Sequence, residues 1–266
     1  MKLLRQRIEE ITDKSPIRWG IVINRPATGQ RLELNPSAVF PAASMIKVPI
    51  MYEVMRQAAA GILSLEDTVT VTRQAQAGGA GILAELRPGL ALTVRELTTL
   101  MIVISDNTAT NLLIDLAGMP AINTSLHNLG LHSTSLKRKM MDFPAARSGN
   151  ENTTSAADMA ALFGLIHAQA CLPPHYCQLM LDILSRQQVR DKIPFYLPEE
   201  FRLAHKTGTL PGVEHDGGIL FFPDDPCIVT ILADNLDTNH QGLQLIAGIG
   251  KRIYDYFNLT KLPKGE

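Results

Sequence analysis

The sequence has few of the features that mark a specialised class of protein. Its 266 residues include only three cysteines, and its formal net charge is −1. This argues against a small disulfide-stapled fold and against a basic nucleic-acid-binding surface. No apolar run approaches the roughly 18 residues of a membrane-spanning helix. What remains is the composition of an ordinary globular protein, 45% hydrophobic and 19% charged, that is long enough to bury a full core.

The first residues and the cysteines bear on the cellular compartment. Residues 1–11 have apolar positions at helical spacing interrupted by charges, which predicts an amphipathic helix and not a signal peptide. As written the chain is expected to be cytoplasmic, or periplasmic or extracellular if a leader has been trimmed. Cys171, Cys177 and Cys227 lack metal-ligand spacing. We interpret them as free thiols, with a Cys171–Cys177 bridge as the alternative.

Strand-like runs occur near both ends of the chain, and helical periodicity fills the middle. The predicted strands are 17–24, 31–34, 201–207, 217–222 and 227–233, and a closing helix is predicted over 241–257. These elements favour an α+β fold (an α/β sandwich), in which an antiparallel sheet of about five strands is flanked by the terminal helices and a mostly helical block. We expect one unit over 1–266, with the α/β part at about 1–40 and 200–266 and the helical part at about 44–195.

Ser44 and Lys47 are the first candidates for chemistry. Ser44 lies where a small-residue turn ends and an apolar helix begins, and residues three apart share one helix face. Lys47 can therefore bring its amine over the Ser44 hydroxyl, and burial would let that amine act as a base. Unpaired N–H groups at the helix start would stabilise developing negative charge. The alternative is a helix cap followed by an exposed lysine.

Two further polar clusters follow in order along the chain. Ser105-Asp106-Asn107 separates two apolar helices, and Lys206-Thr207-Gly208-Thr209 ends a predicted strand. Alone, they read as a helix-to-helix turn and a strand exit. Together with Ser44 and Lys47 they form the S-x-x-K, S-D-N and K-T-G set of class A β-lactamases and penicillin-binding proteins. Over nearly its whole length the sequence resembles a class A serine β-lactamase of the penicillin-recognising family.

The resemblance implies a reaction through an acyl-enzyme. Ser44 would attack a strained lactam or an acyl-peptide carbonyl, with Lys47 as base or proton relay. Ser105 would pass a proton to the departing nitrogen, and Lys206 would be the cation that keeps this hydroxyl acidic. No cofactor and no metal ion is implied, and the partner would be a small-molecule β-lactam or acyl-peptide substrate.

The resemblance also implies a set of substrate-binding residues. Asn107 would hold Lys47 and the substrate's side-chain amide at once. Thr207 and Thr209 would offer hydroxyls to the substrate carboxylate, and Gly208 would let the strand backbone approach closely. The backbone N–H groups of Ser44 and Thr209 would form the oxyanion hole.

The sequence departs from class A β-lactamases at the residue that releases the acyl group. The family carries a glutamate there, on the loop after the Ser-Asp-Asn helix, and alignment on residues 136–142 places Met140 at its position. A thioether cannot take a proton from water. Asp142 and Glu151 are the carboxylates that could substitute. We therefore expect ready acylation and slow deacylation.

Two smaller departures concern substrate choice. No arginine lies between Lys206 and Arg252, so the usual cationic help with the substrate carboxylate is not visible, and Arg202 could point to either side of its strand. The acidic run Glu214-His215-Asp216 is read as a solvated turn, with a role in narrowing substrate choice as the alternative.

The leading hypothesis is a β-lactamase-like serine hydrolase with slow deacylation. A D-alanyl-D-alanine peptidase, or another amide or ester hydrolase on the same scaffold, is the nearest alternative. A covalent sensor or binder of β-lactams without turnover comes from a different functional class.

Overall fold

A five-stranded antiparallel sheet organises the fold. The computed structural model describes residues 1–13 and 16–259, and the sheet has the strand order β2-β1-β9-β8-β7. The strands are β1 (Arg18–Arg25), β2 (Gln30–Leu34), β3 (Val39–Pro41), β4 (Thr68–Val71), β5 (Leu90–Thr93), β6 (Thr153–Ser155), β7 (Leu203–Leu210), β8 (Val213–Leu220) and β9 (Cys227–Asp234). Outside the main sheet, β3 pairs with β6 and β4 pairs with β5. The predicted α+β architecture is confirmed.

Helices cover both faces of this sheet. They are α1 (Lys2–Thr12), α2 (Lys47–Ala59), α3 (Val94–Val103), α4 (Asn107–Ala117), α5 (Met119–Asn128), α6 (Phe143–Arg147), α7 (Ala156–His167), α8 (Pro174–Ser185) and α9 (Asn239–Leu259). On one face, α1 and α9 bury Leu4, Trp19 and Phe257 in a common core. On the other face, α7 packs against β1, β8 and β9, while α2 runs through the helical block. Strands β8 and β9 are buried along their whole length because both faces are covered.

Most of the elements predicted from periodicity are present. The amphipathic first helix and the β1–β2 hairpin are confirmed, and the capping box of Thr93 and Glu96 opens α3 as expected. The three cysteines are free thiols, although the Cys171 and Cys177 sulfurs lie 3.8 Å apart. Among residues 1–13 and 16–259, no helix is both long and apolar enough to cross a bilayer.

One prediction is wrong, and several elements were not foreseen. Glu214-His215-Asp216 is not a solvated turn, because β8 begins at Val213 and all three residues are buried between β7 and β9. The turn lies earlier, at Pro211-Gly212, where Gly212 has a φ of +71°. Helices α5 and α8 and the two small sheets carried no signal strong enough to predict them.

Candidate active site

Ser44 lies in a short 3-10 turn, Ala43–Ile46, directly before α2. Ala43 has a φ of +46°, a conformation that residues with a Cβ adopt at a cost in free energy. Ser44 is half-buried and lines a cleft of about 180 Å³ together with Asn107, Met140 and Thr209. A larger groove of about 560 Å³, near His175 and Asp182, contains none of the motif residues. The small cleft is therefore the candidate active site.

Lys47 joins the first motif to the second. Its amine is fully buried and donates hydrogen bonds to the Ser105 carbonyl (2.7 Å), to Ser105 Oγ (3.0 Å) and to Asn107 Oδ1 (2.9 Å). Burial lowers the pKa of Lys47 to about 7, against the opposing attraction of the Asp106 carboxylate. Within the described part of the chain, no hydrogen bond joins Lys47 Nζ to Ser44 Oγ. In this state the amine is held by the second motif.

Lys206 approaches Ser105 from the other side. Its amine, also fully buried, donates to Ser105 Oγ (3.2 Å) and to the Thr207 carbonyl (2.7 Å). The pKa of Lys206 lies well below its usual value, because of burial first and then of repulsion from the Lys47 and Lys192 cations. Ser105 Oγ is thus bonded to two amines. Ser105 itself has a φ of +59°, so the second motif holds it in a strained backbone conformation.

The turn that carries Ser105 is anchored on both sides. The Asp106 carboxylate caps α4 by accepting from the Ala109 N–H (2.8 Å), and it also accepts from the backbone N–H groups of Ile82 (2.7 Å) and Leu83 (2.9 Å). Asn107 Oδ1 accepts the hydrogen bond from Lys47 Nζ. Its amide NH₂ donates to the Gly78 carbonyl (2.9 Å), so a substrate amide would have to compete with that bond.

Strand β7 brings the third motif against the nucleophile turn. A Cβ added to Gly208 would lie 3.1 Å from Ala43 Cβ and 3.2 Å from Ser44 N, which leaves little room for a side chain. Glycine therefore lets the β7 backbone approach Ser44 closely. Thr209 follows on the same strand and lines the cleft with Ser44. All three motifs thus meet at one place.

Met140 borders the cleft at the position where the family's glutamate is expected. Its side chain is buried, and its backbone is bonded twice to one side chain, because Met140 N donates to Asn111 Oδ1 (2.8 Å) and Asn111 Nδ2 donates to the Met140 carbonyl (3.2 Å). The position of the backbone at residue 140 is therefore fixed independently of its side chain.

The two carboxylates named as substitutes differ in position. Glu151 borders the cleft, but its Oε1 accepts from the Arg138 guanidinium (2.7 and 3.1 Å) and from the Asn152 N–H (2.8 Å). Asp142 is exposed and caps α6 by accepting from the Ala145 N–H (3.1 Å). Each carboxylate has a structural partner of its own.

Comparison with known proteins decides the family. The sequence profile of the β-lactamase enzyme family matches residues 3–257. The chain belongs to this family. The extended-spectrum β-lactamase PER-1 of Pseudomonas aeruginosa is 26% identical over 275 residues, covering 98% of this chain and 89% of that protein.

Solved structures agree with this assignment. A β-lactamase from Sphaerobacter thermophilus DSM 20745 is 33% identical with a TM-score of 0.89, covering 96% of this chain and 97% of its own. PBP-A is 29% identical with a TM-score of 0.89 and covers 97% of both chains. A glutamate-for-leucine variant of PBP-A, solved as an acyl-enzyme complex with penicillin G, matches equally well.

In this β-lactamase-family chain, the residue that sequence reasoning missed is Lys192. Its amine forms a buried ion pair with Glu214 (3.0 Å) and donates to Thr209 Oγ1 (3.2 Å). Thr209 Oγ1 in turn donates to Glu214 Oε2 (2.8 Å), and Asn239 Nδ2 donates to Glu214 Oε1 (2.7 Å). Arg-Asp-Lys at 190–192 has the composition of a solvated charged run. Only a periodic pattern could have marked one of its members as buried, and this irregular segment has none.

The arginines that the sequence left open lie elsewhere. The Arg202 guanidinium stacks over the Phe221 ring at 4.4 Å, and Arg252 donates to the Gly248 carbonyl within α9 (3.2 Å). Neither of them lines the cleft. Among the residues that the structure describes, the arginine that lines it is Arg138, which is paired with Glu151.

Proposed function

We propose that this β-lactamase-like serine hydrolase forms an acyl-enzyme at Ser44 readily and releases it slowly. The observation that carries the proposal is Ser105 Oγ, bonded at once to the amines of Lys47 and Lys206 beside the Ser44 turn. A hydroxyl between two buried amines is equipped to move a proton. Burial of two lysines around one serine has no evident benefit for folding, since each buried amine costs free energy.

Acylation would use all three motifs. A neutral Lys47 takes the Ser44 proton as the Ser44 oxygen bonds to the carbonyl carbon, and the backbone N–H groups of Ser44 and Thr209 hold the resulting oxyanion. The carbon–nitrogen bond then breaks. Ser105 donates its proton to the departing nitrogen and regains one from Lys47, which restores the amine. With a pKa of about 7, Lys47 is partly neutral at neutral pH and can begin this cycle.

Deacylation lacks an evident base. Water that attacks the ester must lose a proton, and the Met140 thioether cannot accept one. Glu151 is bonded to Arg138, and the exposed Asp142 caps α6 and does not itself line the cleft, although its neighbours Met141 and Phe143 do. The PBP-A relative supports the acylation step alone, because one of its variants was solved as an acyl-enzyme with penicillin G.

The test is intact-protein mass spectrometry after mixing with penicillin G. We expect a persistent adduct that maps to Ser44 and is absent from Ser44→Ala. Met140→Glu should shorten the lifetime of the adduct, whereas Met140→Gln, of similar size but without a base, should not. No adduct and no ring opening would refute the enzyme, and equal lifetimes in the two Met140 variants would refute the account of slow release.

The same observation favours a second candidate, a covalent β-lactam sensor or binder in which the long-lived adduct is the useful product. The slow hydrolase and the covalent binder would use the same arrangement of residues around Ser44. Turnover that stays at one equivalent of penicillin G per Ser44 would favour the binder. A D-alanyl-D-alanine peptidase would instead release the terminal residue of an acyl-peptide.

A further inference from the structure

We propose that Glu214 determines specificity by disfavouring acyl donors that carry a carboxylate beside the scissile amide, so that the preferred donors have a neutral ester or amide group there. The inference rests on the proposed acylation of Ser44 and specifies its substrate class. Glu214 accepts a hydrogen bond from Thr209, which the family resemblance implied would receive the substrate carboxylate together with Thr207, and it is buried on β8 between β7 and β9.

The hydroxyl proton of Thr209 is already used within the protein. A threonine hydroxyl has one proton and two lone pairs. In this structure the proton points to Glu214 Oε2 at 2.8 Å, and a lone pair accepts from Lys192 Nζ at 3.2 Å. A substrate carboxylate requires a donor, and the only proton of Thr209 is already bound to a protein carboxylate.

The positive charge beside Thr209 is neutralised within the protein. Lys192 is the cation nearest to Thr209, and Glu214 neutralises it at 3.0 Å with both side chains about 1% exposed. A charge pair so buried is screened little by solvent, so Lys192 offers an incoming anion little net attraction. With a pKa of about 7, Lys47 carries less than a full positive charge at neutral pH.

The Glu214 side chain is held in a fixed position. Asn239 at the start of α9 donates to Glu214 Oε1 (2.7 Å) and also to the carbonyls of Leu210 (2.8 Å) and Val213 (3.2 Å). Glu214 therefore cannot turn away to release Thr209 without breaking an ion pair and two hydrogen bonds. Repulsion by the fixed Glu214 carboxylate acts against anionic acyl donors and not against neutral ones. This difference creates the specificity.

The experiment compares penicillin G with its methyl ester, which differs in the charge at this one group. The rate of adduct formation at Ser44 is followed by mass spectrometry in the native protein, in Glu214→Gln and in Glu66→Gln, a control in an exposed ion pair with Arg95. The native protein should react with the ester at least as fast as with the acid. In Glu214→Gln a side-chain amide can donate to Thr209 Oγ1, so the acid should react about tenfold faster, while the ester rate stays near the native value.

The outcomes separate this inference from the proposed function. No adduct with either compound would overturn both. Adducts with both, but an acid-to-ester ratio unchanged in Glu214→Gln, would overturn the role of Glu214 alone. If Glu214→Gln fails to fold, a native protein that strongly prefers the acid overturns the inference just as directly. Thr209→Val should reduce the acid rate more in Glu214→Gln than in the native background, because only there is the Thr209 proton released to the substrate.

Discussion

At the scale of single residues, the site depends on amines that have lost part of their basicity. Lys47 is fully buried, has a pKa of about 7, and faces Ser105 and Asn107. An exposed lysine would be protonated at neutral pH and could not accept the Ser44 proton. The burial of the first turn of α2 therefore lowers the pKa of Lys47 as its proposed role as base requires, and the polar groups of the second motif hold the amine in position.

The rate of Ser44 acylation should therefore depend on pH. Only neutral Lys47 can take the proton, so we expect the rate to rise roughly tenfold per unit below pH about 7 and to level off above it. Adduct formation with penicillin G, measured from about pH 5.5 to about pH 8.5 with far-UV circular dichroism as a check on folding, tests this. A rate independent of pH over that range would exclude Lys47 as the base.

At the scale of elements, α2 is tied to α5 by a buried carboxylate. Glu53 accepts from Arg56 (2.7 and 2.8 Å), from Gln57 Nε2 (2.7 Å) and from the Ser125 hydroxyl. Burial raises the pKa of Glu53, but hydrogen bonds from Arg56, Ser125 and Gln57 outweigh it, so the pKa is lowered overall. The stabilisation is therefore present above the ordinary glutamate pKa and is lost as pH falls through the lower folded value.

Removing this charge should destabilise the protein. Glu53→Gln should lower the free energy of unfolding by about 2 kcal/mol at neutral pH, because the Arg56 guanidinium loses its buried partner. Glu66→Gln, in an exposed ion pair with Arg95, should cost less than about 1 kcal/mol. Urea denaturation of both variants measures the difference. Equal losses would mean that the buried cluster contributes no more than a surface pair.

At the scale of the whole molecule, helix α9 packs closely against the segment that carries Lys192. A Cβ added to Gly250 in α9 would lie 2.5 Å from the Ile193 carbonyl oxygen and 2.9 Å from Ile193 Cα, both backbone atoms. Gly248, two residues earlier, has its nearest neighbours at 3.6 Å, an ordinary contact distance. The same helix thus offers a sensitive position and a matched control.

Alanine at these two glycines should have opposite effects. Gly250→Ala should reduce the free energy of unfolding by about 1–3 kcal/mol, since the Ile193 backbone must move. Gly248→Ala should be neutral or stabilise by up to about 1 kcal/mol, because alanine favours helix. Urea denaturation of the two variants checks this. Equal stability would show that α9 does not fix the Ile193 segment. The prediction of one unit over 1–266 stays a prediction.

The parts of the structure that the sequence predicts are those marked by local periodicity, turn residues or short motifs. The β1–β2 hairpin and the α3 capping box follow from local periodicity and turn residues, and the structure contains them. Of the four residues that the motifs indicate, Lys47, Ser105 and Lys206 are joined by hydrogen bonds, and Ser44 lines the cleft beside them. Their catalytic roles stay predictions.

What could not be predicted depends on contacts between distant segments. Lys192 lies in an irregular charged run, and its burial depends on its ion pair with Glu214, which lies 22 positions later in the chain. The buried β8 residues Glu214 to Asp216 resemble a polar turn because their partners come from β7, α9 and the Ile193 segment. Strands β3 and β6 are three residues long and acquire their structure from pairing, not from pattern.

Asn111 holds residue 140 by its main chain alone, so the loop keeps its anchor whatever side chain evolution places there. Under the proposed mechanism, a mutation at this single position would change the lifetime of the covalent adduct and leave the residues that form it in place. A long-lived trap and a rapid degrader would then share one scaffold and differ at one side chain.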